Sequence, residues 1–139
     1  MKRVAAVIGL PADGAAEYER LHAEVWPDVV DRIAGSNIRN YTIFRYGELL
    51  FSYYEYAGDD LEADLAAMAA DPATQAWWAL CEPLQRPVPE RADGEWWHVL
   101  PEVFHTPEAA AQEERSDAYS RNLGKIPQDR PLTPDTSDV

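Results

Sequence analysis

Ile38-Arg39-Asn40-Tyr41-Thr42-Ile43-Phe44, the link Arg45-Tyr46-Gly47-Glu48, and Leu49-Leu50-Phe51-Ser52-Tyr53-Tyr54-Glu55-Tyr56 form the stretch that decides the fold. Both flanks are rich in β-branched and aromatic side chains, which suit a pleated, half-buried surface. The short link holds a glycine and leaves room only for a tight reversal. The two runs therefore read as an antiparallel hairpin.

Toward the N-terminus, residues 4–10 are a continuous apolar run that ends at Pro11. That pattern predicts a buried strand. Asp13 follows as the expected helix N-cap. Tyr18, Leu21, His22, Val25, Val29 and Ile33 then recur at helical spacing. Pro27 interrupts this face and pushes Trp26 away from helical dihedrals, so two helical pieces are expected. Gly35-Ser36-Asn37 ends the second piece.

Toward the C-terminus, Asp59-Asp60 caps an expected helix over residues 61–70, and Asp71-Pro72 restarts helix with proline at its first position. Trp77, Leu80, Cys81 and Leu84 lie on one helical face. Residues 86–95 hold two prolines, a glycine and several charges, and read as a loop. Residues 96–105 are expected to form a last strand, with Pro101 placing it at an edge or a bulge. The order is β-α-β-β-α-β, an α+β, ferredoxin-like arrangement with helices on one face of a four-stranded antiparallel sheet. The uncovered face would carry many apolar groups. A second copy packed sheet to sheet is the simplest cover, so a homodimer of the dimeric α+β barrel type is expected.

Length and composition agree with one folded domain, placed at residues 1–107, and a tail, residues 108–139. From Thr106 onward the chain is proline-rich and polar, with 7 acids against 4 bases, and residues 108–115 could form a short alanine-rich helix. The formal net charge of −13 argues against nucleic acid or an anionic membrane as partner. No apolar stretch is long enough to span a bilayer. The lone cysteine, Cys81, excludes an internal disulfide framework and fits a reducing compartment, so the expected location is the cytoplasm.

No glycine-rich phosphate loop, paired-cysteine metal motif or nucleophile elbow is present, and the three histidines lack metal-ligand spacing. Tyr18 and His22, four apart, share one helical face with Leu21 and Val25. One reading of the pair is a core histidine bonded to a tyrosine. The other is a general acid/base beside a polar positioning group, which suits an imidazole that titrates near neutrality. Trp77 and Trp78 point about 100° apart on a helix, so one indole can be core while the other lines a cavity. Tyr41 is either an ordinary half-buried strand residue or a site residue.

Several of these pieces occur together, in order. They are Glu17-Tyr18 with His22, Val25-Trp26-Pro27, Asn40-Tyr41-Thr42-Ile43-Phe44 with Leu49-Leu50-Phe51, Asp71-Pro72 with Gln75-Ala76-Trp77-Trp78, and Glu102-Val103-Phe104-His105. In this combination residues 1–107 resemble the L-rhamnose mutarotase family. The resemblance implies a dimeric ferredoxin-like isomerase that interconverts the α and β anomers of L-rhamnose, or of a related sugar such as L-fucose, with no cofactor and no metal. It implies that His22 is the proton donor and that Tyr18, Tyr41, Trp77 and Trp78 contact the monosaccharide. The short hairpin turn, residues 86–95 and the acidic tail depart from the family pattern and leave the sugar open. Two rival functions fit the same architecture. One is a cofactor-independent monooxygenase of small aromatic molecules, or a haem-binding relative. The other is a sugar-binding module without catalysis.

Overall fold

The computed structural model describes residues 1–106. In chain order the elements are β1 (Lys2–Gly9), α1 (Ala12–Ala23), α2 (Pro27–Gly35), β2 (Ile38–Tyr46), β3 (Leu49–Tyr56), α3 (Leu61–Ala69), α4 (Pro72–Cys81), a 3₁₀ turn (Glu82–Leu84) and β4 (His98–Leu100). Residues Met1–Glu102 make one compact unit. The sheet order is β2-β3-β1-β4 and every pairing is antiparallel. This is the expected ferredoxin-like α+β arrangement, with each helical segment split in two. The short helix anticipated over residues 108–115 and the proline-rich tail lie outside the described residues.

Alternation along the strands sorts the side chains into two faces. Ile8 lies opposite Leu50, and Ala6 lies opposite Ser52. Ile8, Leu10 and Leu50 pack with Tyr18, Val29, Trp77 and Cys81 to form the core beneath the helices. Across the other face run Phe44, Phe51, Val7 and His98 in register, with Thr42, Tyr53, Ala5 and Leu100 beside them. Phe44 and Tyr46 are largely exposed there.

One irregularity decides which residues of β2 face the core. Ile38 pairs with Tyr56 and Arg39 with Glu55, but Thr42 pairs with Tyr53, so β2 carries one extra residue at Asn40-Tyr41. Asn40 adopts a left-handed φ of 53°, a conformation that asparagine tolerates better than most residues. Its side chain donates to Glu55. The bulge reverses the alternation. Ile43 then packs against the core, and the Tyr41 ring meets Tyr54 edge to face at 6.0 Å.

Two expectations are corrected. Asp13 is not the N-cap of α1. The helix begins at Ala12 after Pro11, and no side chain of the cap residue accepts a bond. The Ala12 N–H instead donates to the Glu48 carboxylate over 3.0 Å, and the Leu10 N–H donates to the Glu48 carbonyl. The hairpin turn thus does the capping, and Asp13 stays in the first turn, where it suits the helix dipole. The last strand is also shorter than residues 96–105. Trp96 and Trp97 lie in a bend, pairing begins at His98, and it stops at Leu100 because Pro101 has no N–H to continue the ladder. Beyond the strand, Arg3 holds Glu102 through two bonds of 3.1 and 3.2 Å.

Candidate active site

Helix α1 is the first wall of the site. Residues 18 and 22 are one helical turn apart, and α1 is unbroken between them, so their rings fall on one face. The His22 and Tyr18 rings stack with centroids 4.0 Å apart and planes 23° from parallel. Nδ1 of His22 lies 2.8 Å from the Tyr18 carbonyl oxygen. A carbonyl can only accept, so Nδ1 carries the proton and the ring presents the lone pair of Nε2.

Helix α4 is the second wall. Asp71 caps it by accepting from the Thr74 N–H and hydroxyl, with Pro72 at the first turn. Trp77 is buried, and its indole meets His22 edge on at 5.2 Å and Trp26 at the same distance. Trp78, next along the helix, is half-buried and packs on the core from another side. Strand β2 adds Tyr41 from its bulge. Tyr41 keeps 42% of its surface accessible, whereas Tyr18 keeps 3%.

The electrostatics of the cluster follow from its apolar surroundings. Desolvation disfavours the imidazolium and lowers the pKa of His22, against a smaller opposing pull from the Tyr18 carbonyl. Burial raises Tyr18 well above the ordinary range of a phenol, and nearby Tyr41 adds to the rise. Crowding around the Tyr41 phenol, then Tyr54 and Cys81, push it up to about 12. Burial likewise pushes the Cys81 thiol up to about 11, which keeps it un-ionised and poorly nucleophilic. The site at neutral pH is therefore a neutral imidazole with a free lone pair beside two hydroxyls that keep their protons. It can accept one proton at Nε2 and donate hydrogen bonds from the phenols.

Of the residues singled out in the sequence, Tyr18, His22 and Trp77 touch one another. The Tyr41 ring meets Tyr54 of β3 rather than a member of this group, and Trp78 is set to one side. Trp26 is no site candidate by spacing, which marks it as the residue before a proline, yet its ring forms part of the aromatic wall. Gln85 and Trp96 were also missed. Gln85 Nε2 donates to the Tyr18 hydroxyl over 3.3 Å, and Trp96 Nε1 donates to Gln85 Oε1 over 2.8 Å. No local spacing links residues 18, 85 and 96, so no sequence signal could have joined them. Among the described residues, no group of three or more His, Cys, Asp and Glu side chains is placed to hold a metal ion. No described helix is long and apolar enough to cross a membrane.

A family profile described as L-rhamnose mutarotase matches residues 3–106. An L-fucose mutarotase from Xanthomonas campestris is 37% identical, over 85% of this chain and 98% of its own length. An L-rhamnose mutarotase from Phocaeicola vulgatus is 29% identical, over 76% and 98% respectively. Among solved structures, an L-rhamnose mutarotase from Formosa agariphila superposes with a TM-score of 0.60 at 20% identity, covering 77% of this chain and all of that one. The tetracenomycin F2 cyclase of Streptomyces glaucescens superposes with a TM-score of 0.59 at 20% identity, covering 78% and 99%. At that identity, these two structures establish a shared fold and nothing more.

Proposed function

The chain belongs to the L-rhamnose mutarotase family, and from that premise we propose the sugar it takes and the route of the proton. As a member it is an isomerase that interconverts the α and β anomers of a sugar. The sugar is a 6-deoxy-L-hexose, with L-fucose ahead of L-rhamnose. The greater likeness to the L-fucose mutarotase of Xanthomonas campestris supports that order.

The observation that carries the mechanism is the bond from Nδ1 of His22 to the Tyr18 carbonyl. It holds the neutral tautomer whose Nε2 is a base. His22 was expected from resemblance to start as a proton donor, but its lowered pKa supports the reverse order. Nε2 removes the proton from the anomeric hydroxyl. The electrons form the carbonyl, and the bond from the anomeric carbon to the ring oxygen breaks. The imidazolium then delivers the same proton to the ring oxygen, which is bonded to the same carbon in the closed ring. The aldehyde rotates about its bond to the next carbon. The steps reverse on the other face, and the proton count balances. Tyr18 and Tyr41 donate hydrogen bonds to whichever oxygen carries developing charge. Because their pKa values are raised, they do so without becoming phenolates. Trp77 and Trp26, with Trp78 alongside, supply apolar surface for the ring face and the methyl group.

The exposed sheet face around Phe44 and Phe51 supports a homodimer packed sheet to sheet. The unpaired Cys81 supports the cytoplasm as its location. The test of function is NMR saturation transfer between the α and β anomeric signals of L-fucose and of L-rhamnose. Accelerated exchange is expected for both, faster for L-fucose. Sugar binding with no acceleration would replace this reading with that of a binding module.

A further inference from the structure

Gln85 belongs to none of the motifs above, yet its position is fixed from two directions. Its backbone is set by its neighbour Arg86, which forms an antiparallel bridge with Gly9 through bonds of 2.7 and 2.8 Å. A glycine is needed there, because a Cβ on residue 9 would stand 2.6 Å from the Arg86 carbonyl oxygen. The bridge ties the segment after α4 to the end of β1, beside the core that holds Tyr18.

The side chain is set by Trp96. An indole N–H can only donate, so the amide oxygen of Gln85 must face Trp96 and its NH₂ must face Tyr18. Trp96 is presented by a loop closed on the Glu95 carboxylate. That carboxylate accepts from the Ala92 N–H at 2.7 Å and the Val99 N–H at 3.2 Å, and His98 Nδ1 lies 3.0 Å away. The Tyr18 oxygen therefore accepts from Gln85, and no acceptor among the described residues takes the hydroxyl's own proton. That proton is available to a ligand beside His22.

We propose that Gln85 is a positioning residue of the mutarotase site, its amide held by Trp96 so that the Tyr18 hydroxyl aims its proton at an oxygen of the bound sugar. This rests on the mutarotase reading above. It makes the segment 85–96, which contains the loop 86–95 expected to depart from the family pattern, part of the machinery for the reaction. Without the Gln85 donor the Tyr18 hydroxyl is free to rotate, and the hydrogen bond to the developing charge loses its preset direction.

The test compares wild type with Gln85→Met, Gln85→Glu and Trp96→Phe, using saturation transfer on L-fucose together with ¹⁵N-resolved spectra of the tryptophan indole N–H groups. Gln85→Met keeps the bulk and removes the amide. It is expected to lower the saturated exchange rate about tenfold with KM changed less than about twofold. Gln85→Glu offers Tyr18 an acceptor and so draws its proton away from the sugar. Its loss is expected to be larger, and, relative to wild type at the same pH, part of the rate should return as the pH is lowered enough to protonate the introduced carboxyl. A merely structural role would give no such pH-dependent recovery. In Gln85→Met the Trp96 indole N–H signal should move toward that of an unbonded indole. Trp96→Phe should fall between wild type and Gln85→Met. An active wild type with an unchanged rate in Gln85→Met and no pH-dependent recovery in Gln85→Glu overturns the positioning role alone. A wild type with no exchange on either sugar overturns the mutarotase reading, and the positioning role with it. If Gln85→Met does not fold, the pH profile of Gln85→Glu and the rate of Trp96→Phe decide the matter.

Discussion

Nδ1 of His22 donates to the carbonyl oxygen of Tyr18 over 2.8 Å, one turn back along the same helix. The helix thereby fixes both the tautomer and the tilt of its own base. His22→Asn removes the basic nitrogen and keeps a polar side chain of similar reach. The expected loss in exchange rate is about 10²–10⁴-fold, with sugar binding measured by titration little changed. The sign of the pH dependence discriminates further. Burial lowers the His22 pKa below its ordinary 6.5, and the working form is neutral. The rate should be flat above neutrality and fall as the pH drops through the lowered value. A rate that instead falls as the pH rises through neutrality would show that the imidazolium is the starting form.

Asn40 holds the second device that delivers a site residue. Its left-handed backbone and the extra residue in β2 swing Tyr41 to the helix face. Valine at position 40 meets that backbone with a branched Cβ, at a cost of about 1–2 kcal/mol. Asn40→Val should melt lower than wild type, while Asn40→Gly keeps the geometry and loses chiefly the bond to Glu55. The activity order should follow the same sequence, because a flattened bulge turns Tyr41 away from Tyr18. Equal melting temperatures and equal exchange rates for the two variants would mean that the bulge survives without help from residue 40.

This bulge also marks where the sequence stops being readable. The hairpin, the broken helix at Trp26-Pro27 and the capped restart at Asp71-Pro72 each rest on residues adjacent in the chain, and each is where local chemistry placed it. Tyr18 with His22 was legible for the same reason, since one helical turn is a local distance. A strict two-residue alternation from Ile38 puts Tyr41 and Ile43 on the solvent face. Only the register across β3 shows the reversal. The cap of α1 was misplaced on Asp13 because the true partner, Glu48, comes from a turn 36 residues away. Gln85 and Trp96 were invisible because their link to Tyr18 spans three separate elements. Roles that depend on contacts across the fold leave no trace in spacing.

Glu95 should confer acid sensitivity on the loop that presents Trp96. The bond with His98 and the N–H groups of Ala92 and Val99 hold its carboxylate at a pKa of about 2. An unfolded glutamate titrates near 4.3. The folded pKa is the lower one, so the stabilisation is complete above about pH 4.3 and is lost as the pH falls toward 2. The Trp96 indole N–H signal should begin to broaden or shift in that window in wild type. In Glu95→Gln the signal should already be displaced at neutral pH, with no further change attributable to this carboxylate on acidification. Identical acid profiles for the two proteins would count against Glu95 as the clamp.

Phe44 and Phe51 pair in register on the sheet face that no described helix covers, with Val7 next in the row and Tyr46 beyond. Phe44 is 63% exposed. Aromatic surface left in water on two strands, Phe44 and Tyr46 on β2 beside the half-buried Phe51 on β3, costs roughly 25 cal/mol for each Å² exposed, and association removes much of it. Phe44→Glu replaces an exposed aromatic on the edge strand β2 of that face with a charge that sheet-to-sheet packing would have to bury. Sedimentation velocity should report a dimer for wild type and a monomer, or a much weaker dimer, for Phe44→Glu. The His22–Tyr18–Trp77 cluster lies on the opposite face, so the variant should keep a saturable, if slower, exchange activity. A wild type that sediments as a monomer at micromolar concentration would leave this face to another partner.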